Sequence, residues 1–315
     1  MSRPIRILVA NGPEEVKGVT WWRMYRPLQY LYRQFPDIEI VYNETGMLRP
    51  CHFIHTDIVM VWRPCLQNHL ITLKMAKQWG CRIIVDHDDD LYNMPISSPD
   101  FEYFSGLKPI VNACIAMADQ VWTSTPALAA LYGHPNTVVI PNAVLPNDLP
   151  DEPNKHSGTV VWRGSAAHRD DLEVGKASYP SLLRTAKRLL FIGYAPTWAI
   201  SNGKQVEYSH PVAIQDYFSF LRAQKPLAIW KPLVSNPFND GKSNISWIEA
   251  TCAGGILVSN YAGKPGWEHA MRELPKTETM RRDVWQASRD EITTNYHLLR
   301  WNMVRHREIL KHATS

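Results

Sequence analysis

"LAIWKPLVSNPFNDGKSNISWIEATCAGGILVSNYAG", residues 227–263, decides how the chain is read. Leu227–Trp230 is an apolar run of strand length. A loop rich in Pro, Asn and Gly follows. "SNISWIEATCAGG" has the spacing of an amphipathic helix and stops at Gly254-Gly255. "ILVSN" then returns as a second apolar strand. A strand, a helix and a strand in this order form a βαβ unit, whose two strands pair in parallel.

The same alternation runs outward in both directions. Upstream, "TVVWRG" reads as a strand, "SLLRTAKRLL" as a helix, "LLFIGY" and "QVEYS" as strands and "AIQDYFSFLRAQ" as a helix. Downstream, "GWEHAMREL" and a segment within 281–312 read as helices. "AVLPNDLPDEPNKHSG" (143–158) is a linker rich in Pro, Asn and Asp. Before it, "IRILVAN", "IEIVYN", "DIVMVWR", "CRIIVD", "QVWTS" and "TVVIPN" read as strands. Helices lie between most of them, at "WWRMYRPLQYLYRQF", "LQNHLITLKMAKQWG", "KPIVNACIAMA" and "TPALAALYG". Pro27 must sit early in the first of these or kink it. The pattern predicts an α/β chain of two Rossmann-like doubly wound domains, with sheets covered on both faces. The expected units are 1–150, 151–285 and a C-terminal helix within 286–315. In such sheets ligands bind at the carboxyl ends of strands, so the cleft between the halves is the expected site.

Composition narrows the class. The 315 residues are 45% hydrophobic and 20% charged, which is ordinary for a globular protein. No run of about 18 apolar residues exists, so no membrane span is expected. The start has no signal-peptide h-region, and the five cysteines form no C-x-x-C pair. A reducing cytoplasm is the expected setting. The net charge of +4 does not by itself argue for nucleic acid. The twelve tryptophans are unusual, and several adjoin arginine, as in "TWWRMYR", "VWRP" and "VWRG". They fit either a core or a stacking surface.

Within 227–263, Pro232-Leu233, Phe238-Asn239, Lys242-Ser243, Glu249, Gly254 or Gly255, and Ser259 resemble the nucleotide-sugar-binding element of retaining GT-B glycosyltransferases. Many members carry two glutamates eight positions apart. Here Gly241 stands eight before Glu249, so the chain resembles a Lys-Ser variant. Residue chemistry agrees. A helix opening at Gly241-Lys242-Ser243-Asn244 presents amides and a positive dipole to a diphosphate. Lys242 adds a charge. Glu249 is two turns on and is suited to accept hydrogen bonds from ribose hydroxyls.

The resemblance extends along the chain to about residue 270, and it implies that the helix within 286–315 crosses back to the first domain. "TVVWRGSAAHRDDL" (159–172) is similar to the first strand and loop of the second domain, where a basic residue meets donor phosphates. Arg163 is the candidate, beside Gly164 and Ser165, with His168 and Arg169 as alternatives. "NGPEEVKGVTWWR" resembles the first loop, with Gly18 nearest the donor and Thr20 as an N-cap.

"CRIIVDHDDDLY" (81–92) suggests on its own a metal site, an acid/base group or a solvated strand end. The GT-B resemblance implies no bound metal and no required cofactor beyond the nucleotide-sugar co-substrate, expected to be a UDP-sugar. It implies His87 on the donor sugar and Asp88 orienting the acceptor or acting as base, with Asp86 and Asp90 capping the next turn. "RIIVDHDDDLYNMP" and "VWRP" also look similar to glycosyltransferases of bacteriophage genomes. That similarity implies an acceptor in double-stranded DNA, a hydroxymethylated pyrimidine. Trp22, Arg23, Arg26, Trp62 and Arg63 would hold it. A cell-surface or other glycan acceptor, a non-enzymatic sugar-nucleotide binder, and a phosphorylase or epimerase are the alternatives.

Overall fold

The computed structural model describes residues 3–12, 18–155, 158–200 and 205–313. Residues 13–17 of the first loop lie outside these. Strands β1 (Ile5–Val9), β2 (Ile38–Tyr42), β3 (Ile58–Trp62), β4 (Arg82–His87), β5 (Gln120–Thr123) and β6 (Thr137–Val139) form one sheet. Its order is β2-β1-β3-β4-β5-β6. Strands β7 (Thr159–Arg163), β8 (Arg188–Ile192), β9 (Val206–Ser209), β10 (Pro226–Trp230) and β11 (Ile256–Val258) form the second, in the order β11-β10-β7-β8-β9. Every pairing between these strands is parallel. The strand order reverses between β1 and β3 in one sheet and between β7 and β10 in the other. These are the two places where a doubly wound sheet opens a ligand crevice.

Both faces of each sheet are covered, which is why the strands read as continuous apolar runs. On β4, Ile83 and Val85 face one core with Leu73, Val111 and Cys114. Ile84 faces the other, with Met24, Leu28 and Ile309. In the second sheet, Val161, Ile229 and Leu257 pack on Trp247 and Ile248, while Val160, Ala228 and Trp230 pack on Leu172 and Tyr179. Trp122, Trp162, Trp230, Trp247, Trp267 and Trp285 are fully enclosed, so these six serve the core and offer no stacking surface.

Pro27 is accommodated by a change of winding. Trp21–Tyr25 forms a π-helical turn, closed by Arg26 N–H donating to the Trp21 carbonyl. The α-helix Arg26–Gln34 then begins with Pro27 in its first turn, where a missing N–H costs little. Thr20 has helical dihedrals and makes no side-chain cap bond, so it is not the expected N-cap.

The linker is pinned. Asn154 Nδ2 donates to the carbonyls of Pro226 (2.9 Å) and Ala253 (2.6 Å). Helix Glu278–Asn295 stays on the second domain, where Trp285 and Ile292 are buried. The crossing comes at Tyr296–His297, and helix Leu298–Ala313 packs on Arg26–Gln34. Asn302 Nδ2 donates to the Pro27 carbonyl at 2.9 Å, and His306 stacks on Phe35 with ring centres 3.9 Å apart. The helix expected over "GWEHAMREL" is absent. Gly266 has φ +82°, and Met271 bridges to Val258 in parallel, so this segment is turn and short extended chain. No helix among the described residues is long and apolar enough to cross a membrane.

Candidate active site in the interdomain cleft

The carboxyl ends of both switch points open into one cleft. Two cavities adjoin there and share Val19, Arg163 and Ile245 in their walls. The larger, about 390 Å³, is mostly apolar and lies between Gly18 and Trp22 of the first domain and Val212, Ile214 and Tyr217 of the second. The smaller, about 150 Å³, is polar, with Asp88 and Asp89 on one wall and Arg163, His168, Lys231 and Lys242 on the other.

Arg163, the last residue of β7, is ion-paired with Glu249. Glu249 is 3% exposed and sits in helix Ile245–Cys252. Burial works against the Arg163 charge, but Glu249 and Tyr217 outweigh it and hold the guanidinium protonated. Burial also pushes the Glu249 carboxyl above its ordinary value, opposed by Arg163, Lys231 and the Tyr217 hydroxyl. Tyr217 Oη lies 3.4 Å from Glu249 Oε2. Glu249 thus faces the larger cavity with an oriented carboxylate edge.

The amino end of this helix lines the smaller cavity through Lys242, Ser243, Ile245 and Ser246. Asn244 at its N-cap makes no side-chain cap bond. Instead Asn244 Nδ2 donates to the Asn142 carbonyl (3.0 Å), and Asn142 Nδ2 donates to Ser243 Oγ (2.9 Å). Ser243 and Asn244 therefore clasp the first domain and leave the helix dipole open to the cavity. Lys242 Nζ donates to both oxygens of Asp89, at 2.9 and 3.2 Å. Burial would raise the Asp89 carboxyl, but Lys242 and Arg63 hold it below its ordinary value.

Gly241 explains the departure from the two-glutamate pattern. A Cβ at position 241 would lie 3.0 Å from Leu128 Cδ2 of the first domain. Thr125 Oγ1 donates to the Gly241 carbonyl at 3.3 Å. The loop is pressed against that domain, so a side chain at 241 would require Leu128 to shift. Gly164 is also a packing position, since a Cβ there would come within 2.8 Å of the Trp162 ring. Ser165 is exposed and caps the short turn Ala166–His168 by accepting from Ala167 N–H. Gly18 lines the larger cavity beside Ile214, and a Cβ there would make only ordinary contact at 3.7 Å.

His168, one of the alternatives to Arg163, and Lys231, which the sequence reading did not single out, complete the wall. His168 Nδ1 donates to Asp171 Oδ2 at 2.7 Å, which fixes the ring. Burial, with Lys231 next, lowers its pKa to about 4, so the imidazole is neutral at pH 7. Lys231 directly follows β10 and is 4% exposed. The sequence signal for it was a lone cation ending an apolar strand at a switch point.

Several first-domain expectations change. His87 does not face the cleft. Its ring is 0% exposed and packs on Tyr132, with centres 4.5 Å apart. Burial and Arg63 lower its pKa to about 3. Arg23 is 1% exposed and holds Asp86 in a bidentate pair at 2.9 and 2.6 Å, out of reach of any acceptor. Asp86 is therefore a buried counter-ion and not a turn cap. Asp90 does make the turn, accepting from Tyr92 N–H at 2.8 Å and Asn93 N–H at 2.9 Å. Arg26 is ion-paired with Asp148 and lies over the buried Trp22 ring. Trp22 itself meets Phe218 edge-on, joining the domains. Trp62, Arg63 and Asp88 do come together at the cleft. Asp88 Oδ1 accepts from Trp62 Nε1 at 2.9 Å, and Arg63 Nη2 reaches both Asp88 oxygens at 2.9 and 3.0 Å. The Arg63 guanidinium stacks on the Trp62 ring at 4.7 Å. Among the described residues, no group of three His, Cys, Asp or Glu side chains is arranged to hold a metal ion.

The architecture has close counterparts among solved structures. A glycosyltransferase from Rickettsia africae ESF-5 superposes over 98% of this chain and 100% of its own, with a TM-score of 0.57 at 12% identity. The fold is GT-B. The catalytic domain of starch synthase IV from Arabidopsis thaliana, bound to ADP and acarbose, covers 100% of both chains with a TM-score of 0.51 at 9% identity. UDP-N-acetylglucosamine 2-epimerase from Rickettsia bellii covers 99% of this chain and 98% of its own, also at 0.51 and 9%. No protein-family model and no curated protein sequence matches the chain.

Proposed function

We propose that this GT-B chain is a glycosyltransferase that moves a sugar from a nucleotide-sugar donor to an acceptor hydroxyl. The observation that carries the reading is the pair of adjoining cavities. One is apolar and ends on a carboxylate, Glu249. The other gathers Arg163, Lys231 and Lys242 at a helix amino end. Base and ribose fit the first, and a diphosphate fits the second. Glycosyltransferases are among the solved structures that share the fold.

In this reading the donor diphosphate lies against Arg163, Lys242 and the amides of helix Ile245–Cys252. These groups stabilise the charge that grows on the diphosphate as the glycosidic bond breaks. Preorganised donors of this kind contribute about 3–4 kcal/mol each. A UDP-sugar is the proposed donor. A retaining course is supported by the state of the cleft carboxylates. Asp88 is held by Trp62 and Arg63, and Asp89 by Lys242, so the oxygens of both carboxylates are already engaged. The acceptor hydroxyl then attacks from the face the diphosphate leaves.

A glycan hydroxyl is the first acceptor proposal. The hydroxymethylated pyrimidine in DNA is the second acceptor proposal. It keeps Trp62 and Arg63 but loses Arg23 and Arg26, whose guanidiniums are engaged elsewhere. The test is nucleoside diphosphate release over a panel of sugar nucleotides, with and without glycan and hydroxymethylated DNA acceptors. Acceptor-dependent release is expected with at least one donor. No release with any combination overturns the reading, and release that never responds to DNA overturns the DNA acceptor.

A further inference from the structure

Lys231 Nζ points into the polar cavity without an ion pair or side-chain hydrogen bond among the described residues. Its nearest aromatic neighbour is Trp162, with the ring centre 5.8 Å from Nζ. The charged groups that face it come from three elements of the second domain, and Asp88 and Asp89 of the first domain form the opposite wall of the cavity. Arg163 lies at the end of β7. His168 and Asp171 lie on the turn and helix that follow. Lys242 and Glu249 lie at and within helix Ile245–Cys252. None of these carboxylates is free to neutralise Lys231: Asp88 is held by Trp62 and Arg63, and Asp89 by Lys242. Glu249 is taken by Arg163. Asp171 Oδ1 accepts from Val234 N–H and Asn239 Nδ2, each at 2.8 Å, and its Oδ2 accepts from His168. Lys231 is thus a buried amine between two ion-paired basic side chains, Arg163 and Lys242, with no ion pair of its own. Burial and like charge both favour its neutral form. An anion entering the cavity reverses both effects.

We propose that Lys231 grips the donor's diphosphate and takes up a proton as it does so. This rests on the nucleotide-sugar reading of the cleft and adds how the site senses charge. The empty cleft avoids adding an unpaired third cation beside Arg163 and Lys242, which are paired with Glu249 and Asp89, and the third charge appears only when the diphosphate is there to receive it. Burial, helped by Arg163, brings the Lys231 pKa down to about 7 in the free protein. Near pH 7 about half a proton is therefore taken up per diphosphate bound, and near pH 8 about one. Affinity falls as pH rises through this window, because the proton must come from solvent.

The experiment is titration calorimetry of the full chain with UDP, ADP and GDP at pH 8, in two buffers of different ionisation enthalpy. UDP-glucose, whose phosphates do not titrate near neutrality, is a further probe. The wild type is expected to take up close to one proton. Lys231→Met, which keeps the buried chain length, is expected to bind about tenfold to a hundredfold more weakly and take up none. Lys231→Arg, charged throughout, is expected to bind without uptake. His168→Gln is expected to keep the uptake, which separates the two titrating groups. Diphosphate binding by the wild type with no proton uptake overturns the Lys231 inference and leaves the donor reading intact. So does uptake that survives in Lys231→Met. If none of the nucleotides binds the wild type, the donor reading falls and this inference falls with it.

Discussion

Asp89 of the first domain and Lys242 of the second are joined across the cleft by hydrogen bonds of 2.9 and 3.2 Å. The pair ties the two domains together at the point where the diphosphate is proposed to bind. Each side chain is 18% exposed, so screening by solvent is partial and the contribution is on the order of 1 kcal/mol. Asp89→Asn is expected to lower the unfolding temperature slightly. It is also expected to tighten nucleoside diphosphate binding about threefold to tenfold, since Lys242 is released. Calorimetric titration and thermal unfolding of the same variant measure both.

The same pair predicts a pH dependence. The Asp89 carboxyl titrates below its ordinary value in the folded protein because Lys242 and Arg63 oppose the effect of burial. Its stabilisation is therefore complete above the unfolded value of about 3.9 and is lost as pH falls through the depressed folded value. The stability gap between wild type and Asp89→Asn should be constant from neutral pH down to about pH 4 and shrink only below that. A gap that closes between pH 5 and 7 would show that another group is responsible.

Gly241 faces Leu128, with a Cβ position 3.0 Å from Leu128 Cδ2. Gly241→Glu, which restores the second glutamate of related enzymes, should destabilise the chain by about 1–3 kcal/mol through overpacking. Leu128→Ala carries its own cavity cost, because Leu128 is fully buried. The double variant should nevertheless be less destabilised than the sum of the two. A double-mutant cycle by urea unfolding reads the coupling. Strict additivity would mean that the two positions do not compete for space.

Glu249 is expected to recognise the ribose. Glu249→Gln keeps the shape but removes the charge, and it should weaken nucleoside diphosphate binding about tenfold. It should also reduce discrimination between ribose and 2′-deoxyribose nucleotides. Competition binding with matched nucleotide pairs measures this. Unchanged affinity and unchanged discrimination would remove Glu249 from the donor site.

The buried Arg23–Asp86 pair is structural in this fold. Arg23→Met leaves the Asp86 carboxylate in the core and should cost about 3–5 kcal/mol. Arg305, 1% exposed beside the same pair, limits the loss by offering a replacement partner. Equilibrium unfolding in urea tests it. An Arg23→Met protein as stable as wild type, with weakened acceptor binding, would return Arg23 to the acceptor role.

The end of β4 shows why some site residues were legible and others were not. "VDHDDD" announces a functional strand end, and Asp88 and Asp89 do face the cleft. The sequence does not say which face each side chain takes. Alternation along β4 sends Asp86 to the side of Ile84, where Arg23 meets it, and His87 to the side of Val85, under Tyr132. Only beyond the strand is the chain free to turn toward the other domain. Lys231 is the converse. In the sequence it is a lysine before a proline, and only the pairing of β10 with β7 brings it to the same cavity as Arg163 and Lys242.

The sequence by itself determined the two α/β halves and the strand–helix–strand unit that carries Lys242 and Glu249. Those follow from local periodicity, turn chemistry and residue spacing, which are written along the chain. The tertiary structure alone decided that Arg23 and His87 belong to the core. It also decided that Asp89 meets Lys242, that Gly241 lies against Leu128, and that Lys231 stands without an ion pair among the described residues. Each of these depends on a partner far away in sequence, and pleat direction and domain docking bring that partner close or keep it away.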